Sequence, residues 1–321
     1  MFTTYKTNKY YFKEYFISRF YANLRLMQDN RFSVFELSNL KSIARAISLV
    51  ENEAPGYDTF LQSLNTTHNS QIIGITGPPG AGKSTLTDAL IGELVNDQKK
   101  IAVLCIDPSS PFHLGALLGD RIRMSEWHNH PNVFIRSLAS RGSLGGLHPK
   151  IIEITDILKA ANFDYIIIET VGVGQSEIEI AGIADTTVVV LVPESGDEIQ
   201  TMKAGLMEIG NVFVVNKADR PGAEVFIRNM QQMLAPAFQT HKKEIPILKT
   251  IATQKQGVVE LNQVLQQLAS SNNKDRKTSL LAEKAYQLIK NKRMKDVSRE
   301  ELKTLIASID NFNLYQFVNN Y

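Results

Sequence analysis

The sequence predicts an α/β protein: a mostly parallel β-sheet with helices on both faces, a short helical segment before it and a helical arm after it. Three observations carry this. Apolar runs of strand length alternate with amphipathic runs of helix length between residues 71 and 268. Most of the apolar runs are continuous, not alternating, as in strands buried on both faces. The run Ile72-Ile73-Gly74-Ile75-Thr76 passes through a glycine-rich loop into an amphipathic stretch with Leu86, Leu90, Ile91, Leu94 and Val95. That is strand, loop, helix.

The elements follow in order. Residues 1–26 are crowded with Phe and Tyr and carry Lys6, Lys9, Lys13, Arg19 and Arg25 against Glu14 alone. They lack the apolar segment of a secretory signal. A poorly ordered or loosely docked extension is expected through residue 37, in preference to an organellar transit peptide, which would carry more Ser and Arg and fewer rings; Met27 is an alternative start. Residues 38–70 read as a helical preface. Leu40, Ile43, Ala44, Ala46, Ile47 and Val50 make an apolar face, Ser38 or Asn39 is placed to cap it, and a short second helix follows Pro55-Gly56. Residues 71–269 form the sheet domain. Its strands are expected at 71–76, 101–106, 133–136, 165–170, 187–192, 211–215 and 245–250. Its helices are expected at 83–96, 149–161, 176–183, 198–209, 222–235 and 257–268. Residues 270–321 read as an arm with helices near 278–293 and 298–308. Leu280, Leu281, Ala285, Leu288 and Ile289 share a face there, which suits either an oligomer contact or packing on the same chain.

Composition narrows the classes. The chain has 321 residues, 43% of them hydrophobic, and a net charge of +2, which argues against a broad nucleic-acid surface. No apolar run is long enough to span a bilayer. The single cysteine, Cys105, sits in an apolar run and reads as a small buried hydrophobe; no disulfide can form within one chain. A reducing compartment is expected: the cytoplasm, or the mitochondrial matrix in a eukaryote. Neither a nucleic acid nor a membrane is expected as partner.

Ligands of such sheets sit at the carboxyl ends of the strands, and the chemistry-bearing residues cluster there. Gly77-Pro78-Pro79-Gly80-Ala81-Gly82-Lys83-Ser84-Thr85 fits the phosphate-binding loop G-x-x-x-x-G-K-[ST]. Its glycines let successive N–H groups turn inward toward phosphate oxygens, and the following helix adds its positive end. Lys83 would reach the β- and γ-phosphates, and the Ser84 hydroxyl would bind Mg²⁺. Asn216-Lys217-Ala218-Asp219 follows a strand and fits N-K-x-D. Guanine presents N1–H and an amine side by side, and one carboxylate accepts both; adenine would leave Asp219 unpaired. The two motifs together predict GTP and GDP as ligands rather than ATP.

Asp107 ends the second strand, where it would face Mg²⁺ through water or the attacking water, or else start an Asx turn before Pro108. Glu169 ends a strand and opens Glu169-Thr170-Val171-Gly172-Val173-Gly174-Gln175, the position of an acid and a loop that sense the γ-phosphate. Most small GTPases carry Asp there, so Glu points to a subgroup. Gly172 would donate its N–H to that phosphate, and Gln175 is a candidate to position water. Asp120 is a candidate for the Mg²⁺ site from the second shell of water. Arg121 or Arg123 is a candidate phosphate or partner contact; for these, and for Arg136 and Arg141 that follow, the alternative is a solvated charged loop. His128, His130 and His148 fit no metal-site spacing. Lys83, Asp107 and Glu169 are the expected catalytic residues.

Together these segments, with His130-Pro131-Asn132, Gly142-Ser143-Leu144-Gly145-Gly146 and Gly196-Asp197-Glu198-Ile199-Gln200, resemble the MeaB/ArgK/MMAA group. The similarity runs from about Leu40 to Leu302. The resemblance implies a P-loop NTPase fold of the SIMIBI type and a homodimer joined by the C-terminal arm. It implies a GTPase that gates adenosylcobalamin loading and protects an acyl-CoA mutase, foremost methylmalonyl-CoA mutase. It places Ser84, Asp107 and Glu169 at the Mg²⁺ site, Asp120 in a first switch, and Gln200 and Lys203 in a later switch facing the partner. The loop behind the guanine is usually Ser-Ala; here it reads Thr250-Ile251-Ala252-Thr253. Ile251, Ala252 and Thr253 are expected against the base, with contacts weakened by this departure but the Ala252 amide still reaching guanine O6. No arginine finger is evident, so slow turnover accelerated by a partner is expected. A nickel-type metallochaperone GTPase would need a His-rich tract or a Cys–His pair. A small-molecule or protein kinase would prefer ATP, against N-K-x-D.

Overall fold

The computed structural model describes residues 37–107, 124–140, 146–170, 172, 176–194, 208–241, 245–270, 274–309 and 312–321. The chain divides into two compact units, Met1–Leu64 and Asn65–Tyr321. The first holds α1 (Leu40–Glu51) and α2 (Tyr57–Ser63). Asn39 caps α1 in a reciprocal box: its Oδ1 accepts from the Ser42 amide at 2.9 Å, and the Ser42 hydroxyl accepts from the Asn39 amide at 3.4 Å. Ile43, Ala46, Ile47 and Val50 form its buried stripe.

The second unit is built on a seven-stranded sheet. Its strands are β1 (Gln71–Thr76), β2 (Ile101–Asp107), β3 (Val133–Ala139), β4 (Tyr165–Glu169), β5 (Thr186–Leu191), β6 (Val212–Val215) and β7 (Ile247–Lys249). The order is β3-β2-β4-β1-β5-β6-β7, and every pairing is parallel. All residues of β1, β2, β4, β5 and β6 are buried, whereas β3 and β7 at the edges carry half-buried residues. Burial on both faces is why the inner strands read as unbroken apolar runs.

The period of two sorts the strand residues onto two cores. Val188, Val190, Val212 and Val214 join Ile73, Ile75, Val103, Cys105 and Ile167 on one face. There they meet Leu86, Leu90 and Leu94 of α3 (Lys83–Asn96) and Leu261 and Leu265 of α7 (Val258–Ser270). Val189, Leu191, Phe213 and Val215 turn to the other face, against Phe226, Ile227, Met230 and Leu234 of α6 (Ala223–His241). Between these lie α4 (Ile151–Ala160) and the single turn α5 (Ser176–Glu179), which continues into a 3₁₀ turn at Ile180–Gly182. Gly74 of β1 lets that turn close: a Cβ there would stand 2.4 Å from Ile180 Cγ1.

After the sheet come α8 (Lys274–Arg293), α9 (Arg299–Ala307) and α10 (Leu314–Asn320). The expected apolar face of α8 is split: Leu281 is 64% and Ile289 52% exposed, Leu280 and Leu288 are half-buried, and Lys284 is buried. Residues 1–36, the first-switch stretch around Asp120, and Gln200 and Lys203 lie outside the described residues. No helix among the described residues is long and apolar enough to cross a membrane.

Candidate functional site

Parallel strands deliver their carboxyl ends to one edge, and the predicted residues meet there. The loop after β1 takes conformations that only glycine adopts without strain. Gly77 has φ 137°, and a Cβ on it would lie 2.0 Å from the Val190 carbonyl oxygen of β5. Gly80 and Gly82 are also left-handed. Lys83 opens α3 and is buried; its Nζ donates to the carbonyls of Gly77 at 2.9 Å and Pro78 at 3.1 Å. The ammonium is thereby held over the loop.

Asp107 and Glu169 end neighbouring strands, and both are buried. Glu169 lies across from Ile75 on one side and Cys105 on the other. Its Oε1 accepts from Ser84 Oγ at 2.5 Å, and its Oε2 accepts from Thr87 Oγ1 at 3.1 Å. The carboxylate is thus bonded to the hydroxyl expected to hold the metal. Beyond it, Thr170 Oγ1 donates to Thr76 Oγ1 at 2.9 Å, and the Thr170 amide donates to the Ile75 carbonyl. Gly172 then comes down on the loop with φ 83°; a Cβ there would lie 2.4 Å from Gly77 O and 2.5 Å from Lys83 Nζ. Only a residue without a side chain can stand that close. Gln175, like Pro108 and Asp120, lies outside the described residues.

The N-K-x-D segment follows β6 and grips the phosphate loop. Asn216 is buried; its Nδ2 donates to the Ala81 carbonyl at 2.9 Å. Its Oδ1 accepts from Thr250 Oγ1 at 3.0 Å and from the Ala252 amide at 3.1 Å. One side chain therefore joins the phosphate loop, the N-K-x-D turn and the loop after β7. Lys217, at φ 56°, donates from Nζ to the Gly80 carbonyl at 2.7 Å, and the Ala218 amide donates to the Thr250 carbonyl. Asp219 is exposed at the open end of this turn. Next to it Arg220 pairs with Glu194 at 2.5 Å, and that hydrogen bond holds the Glu194 carboxyl below the usual carboxylate range. Ile251 bridges to Gln256, and Ala252–Gln254 form a 3₁₀ turn.

Two details differ from the sequence reading. The Ala252 amide, expected to reach the base, donates here to Asn216, because the 3₁₀ turn brings it within hydrogen-bond range of the buried amide side chain. Lys217, which the sequence places only within N-K-x-D, braces the phosphate loop. The motif marks Asn216 as a residue that holds neighbouring loops together; which carbonyls Asn216 and Lys217 reach is seen only in the structure. Thr87 was not singled out at all, since a threonine in the second turn of a helix carries no signal of its own. His130 and His148 serve local turns, accepting at Nδ1 from the Asn132 and Lys150 amides. No cluster of three metal-binding side chains occurs among the described residues. The one tryptophan, Trp127, donates from Nε1 to Asp88 Oδ1 of α3 at 2.8 Å.

A loop of the phosphate-binding type, an acid bonded to the serine that follows its lysine and a guanine-type turn locked to the loop define a P-loop GTPase site. The chain belongs to the MeaB family of methylmalonyl-CoA mutase-associated GTPases, whose model matches residues 43–308. It is 39% identical to the GTPase ArgK of Escherichia coli over 183 residues, 56% of this chain and 55% of that one. It is 37% identical over 230 residues to the fused isobutyryl-CoA mutase of Geobacillus kaustophilus, 67% of this chain and 21% of that longer one. Among solved structures it is similar to one titled LAO/AO transport system kinase. The identity is 26% and the TM-score 0.59, with 88% of this chain and 84% of that chain covered. The protein is a GTPase.

Proposed function

We propose that this GTPase is a chaperone of an adenosylcobalamin-dependent acyl-CoA mutase, with methylmalonyl-CoA mutase the first candidate, and that its nucleotide state gates cofactor loading and protects the mutase. The observation that carries this reading is the relative in which the matching segment is part of a mutase chain. The family description, mutase-associated, points the same way.

In this reading residues 71–269 bind the nucleotide. Water attacks the γ-phosphorus, the bond to the β-phosphate oxygen breaks, and GDP and phosphate leave. The amides of residues 77–85 and the Lys83 ammonium hold the phosphates and offset charge that builds on their oxygens. Asn216, Lys217 and Asp219 hold the base, with residues 251–253 behind it. Ser84, Asp107 and Glu169 offer oxygen donors alone, which suits a hard cation such as Mg²⁺. When bound, that cation would neutralise phosphate charge; Asp120 is assigned to its outer shell. Gly172, stacked on the loop, couples the γ-phosphate to the segment after β4. The exposed apolar residues of α8 and α10, among them Leu281, Ile289, Leu314 and Tyr315, support residues 270–321 as the arm of a homodimer. The single buried cysteine suits the cytoplasm, or the mitochondrial matrix in a eukaryote.

The test is GTP turnover with and without a purified adenosylcobalamin-dependent mutase from the same source. Faster turnover and nucleotide-dependent cofactor transfer are expected. A rate unchanged by the mutase at saturating concentration overturns the partner assignment.

A further inference from the structure

We propose that Thr87 is a positioning residue: its hydroxyl fixes the Glu169 carboxylate so that the other carboxylate oxygen faces Ser84. The inference rests on the reading that Glu169 serves the Mg²⁺ site. Glutamate has one more rotatable bond than aspartate, so a carboxylate carried on it needs an anchor to hold one orientation. Glu169 has a contact on each oxygen, Ser84 Oγ at Oε1 and Thr87 Oγ1 at Oε2. Ser84 and Thr87 are three residues apart on α3, so both face the end of β4.

Thr87 is suited to the task. It is wholly buried, which leaves it no surface to offer a nucleotide, so any influence on turnover passes through its neighbours. Branching at Cβ restricts its rotamer and aims the hydroxyl in advance. Its hydroxyl has two acceptors within reach, the Lys83 carbonyl at 2.9 Å and Glu169 Oε2 at 3.1 Å. A single hydroxyl proton favours the charged one, because hydrogen bonds to ionised acceptors are stronger. With Oε2 held, Oε1 stays turned toward Ser84. Without it, Oε2 loses this bond, and the donor set at the loop is less firmly arranged in advance.

The experiment compares wild type, Thr87→Val, Thr87→Ser, Glu169→Gln and the Thr87→Val/Glu169→Gln double variant. The readouts are Mg²⁺ titration of GTP turnover, GDP affinity in EDTA and thermal midpoint. Thr87→Val is expected to lower kcat and raise the half-saturating Mg²⁺ roughly tenfold, the weight of one hydrogen bond to a charged group. GDP affinity in EDTA stays the same. Thr87→Ser restores the Mg²⁺ response to within about twofold, since it keeps the donor. In the Glu169→Gln background Thr87→Val has a smaller effect, because the hydroxyl then orients an uncharged amide. If Thr87→Val does not fold, Thr87→Cys, of similar size with a weak donor, is read by the same criteria. A wild-type Mg²⁺ response in the valine variant, or an undiminished effect in the double variant, overturns the inference. A wild-type Mg²⁺ response in Glu169→Gln overturns instead the assignment of Glu169 to the metal. An altered response there beside a silent Thr87→Val removes Thr87 alone.

Discussion

Asn216→Ala would strip three buried groups of their shared partner at once: the Ala81 carbonyl, the Thr250 hydroxyl and the Ala252 amide. Each such group, left unpaired, costs about 1–3 kcal/mol. Water can enter part of the space vacated by the side chain, which puts the sum near the low end, about 3–5 kcal/mol. For a domain of this size the thermal midpoint should fall by roughly 10 °C or more. Thr250→Val removes one of the three contacts and should cost about 1 kcal/mol. Asn216→Asp keeps an acceptor for Thr250 and Ala252 but turns an oxygen toward the Ala81 carbonyl, so the phosphate loop loses its tether. Denaturant unfolding with the slope checked for constancy, together with GDP titration, reads all three variants. The aspartate variant should weaken GDP binding more than the valine variant does. An alanine variant no less stable than Thr250→Val would refute the argument, because the three bonds would then not act together.

Gly172→Ala should leave GDP affinity within about threefold while lowering single-turnover hydrolysis at least tenfold. A side chain there meets the left-handed backbone, about 1–2 kcal/mol, and the Gly77 carbonyl at 2.4 Å; equal losses of GDP binding and hydrolysis would contradict this. Lys284→Met should stabilise the protein at neutral pH and flatten its pH dependence. Burial first, then the Lys159 charge, pushes the Lys284 amine below its ordinary value of 10.5, against the pull of Asp185 and Asp156. The folded chain then binds fewer protons than the unfolded one between the lowered value and 10.5, so stability rises with pH through that window and is lost as pH falls through it. Thermal melts of both proteins from pH 7 to 10.5 check it, and an unchanged slope in the methionine variant counts against it.

The inner sheet was legible because burial on both faces writes itself as unbroken apolar runs: β1 and α3 were read to their observed limits. The edges were less so. β3 continues past residue 136 to Ala139 because its pairing with β2 runs on to Asp107, although Arg136 and Ser137 break the apolar pattern on the half-exposed edge. β7 is only three residues long, shorter than its apolar run, because it pairs on one side alone. In the arm, α8 starts four residues before the expected helix, at the polar Lys274, and α10 was not foreseen. Its signal is a lone Asn313 cap ahead of seven residues, too short for a period to show. At the site, motifs gave residue types at fixed spacing. What they could not give are contacts between residues far apart in the chain. Asn216 meets Ala81 across 135 residues and Glu169 meets Thr87 across 82. Such pairs are set by the sheet order, in which β4 lies beside β1 and β6 one strand beyond its other neighbour, β5.

The central claim is a guanine nucleotide held between residues 77–85 and the Asn216–Asp219 turn. Isothermal titration of wild type and Asp219→Ala with GDP, a GTP analogue and ATP, each with Mg²⁺, tests it most directly. Asp219 is exposed, so its loss should leave the fold intact. The account predicts tight binding of both guanine nucleotides to wild type, weak ATP binding, and a guanine preference that collapses in the variant. Comparable affinity for ATP in wild type, or an undiminished guanine preference in Asp219→Ala, would contradict it.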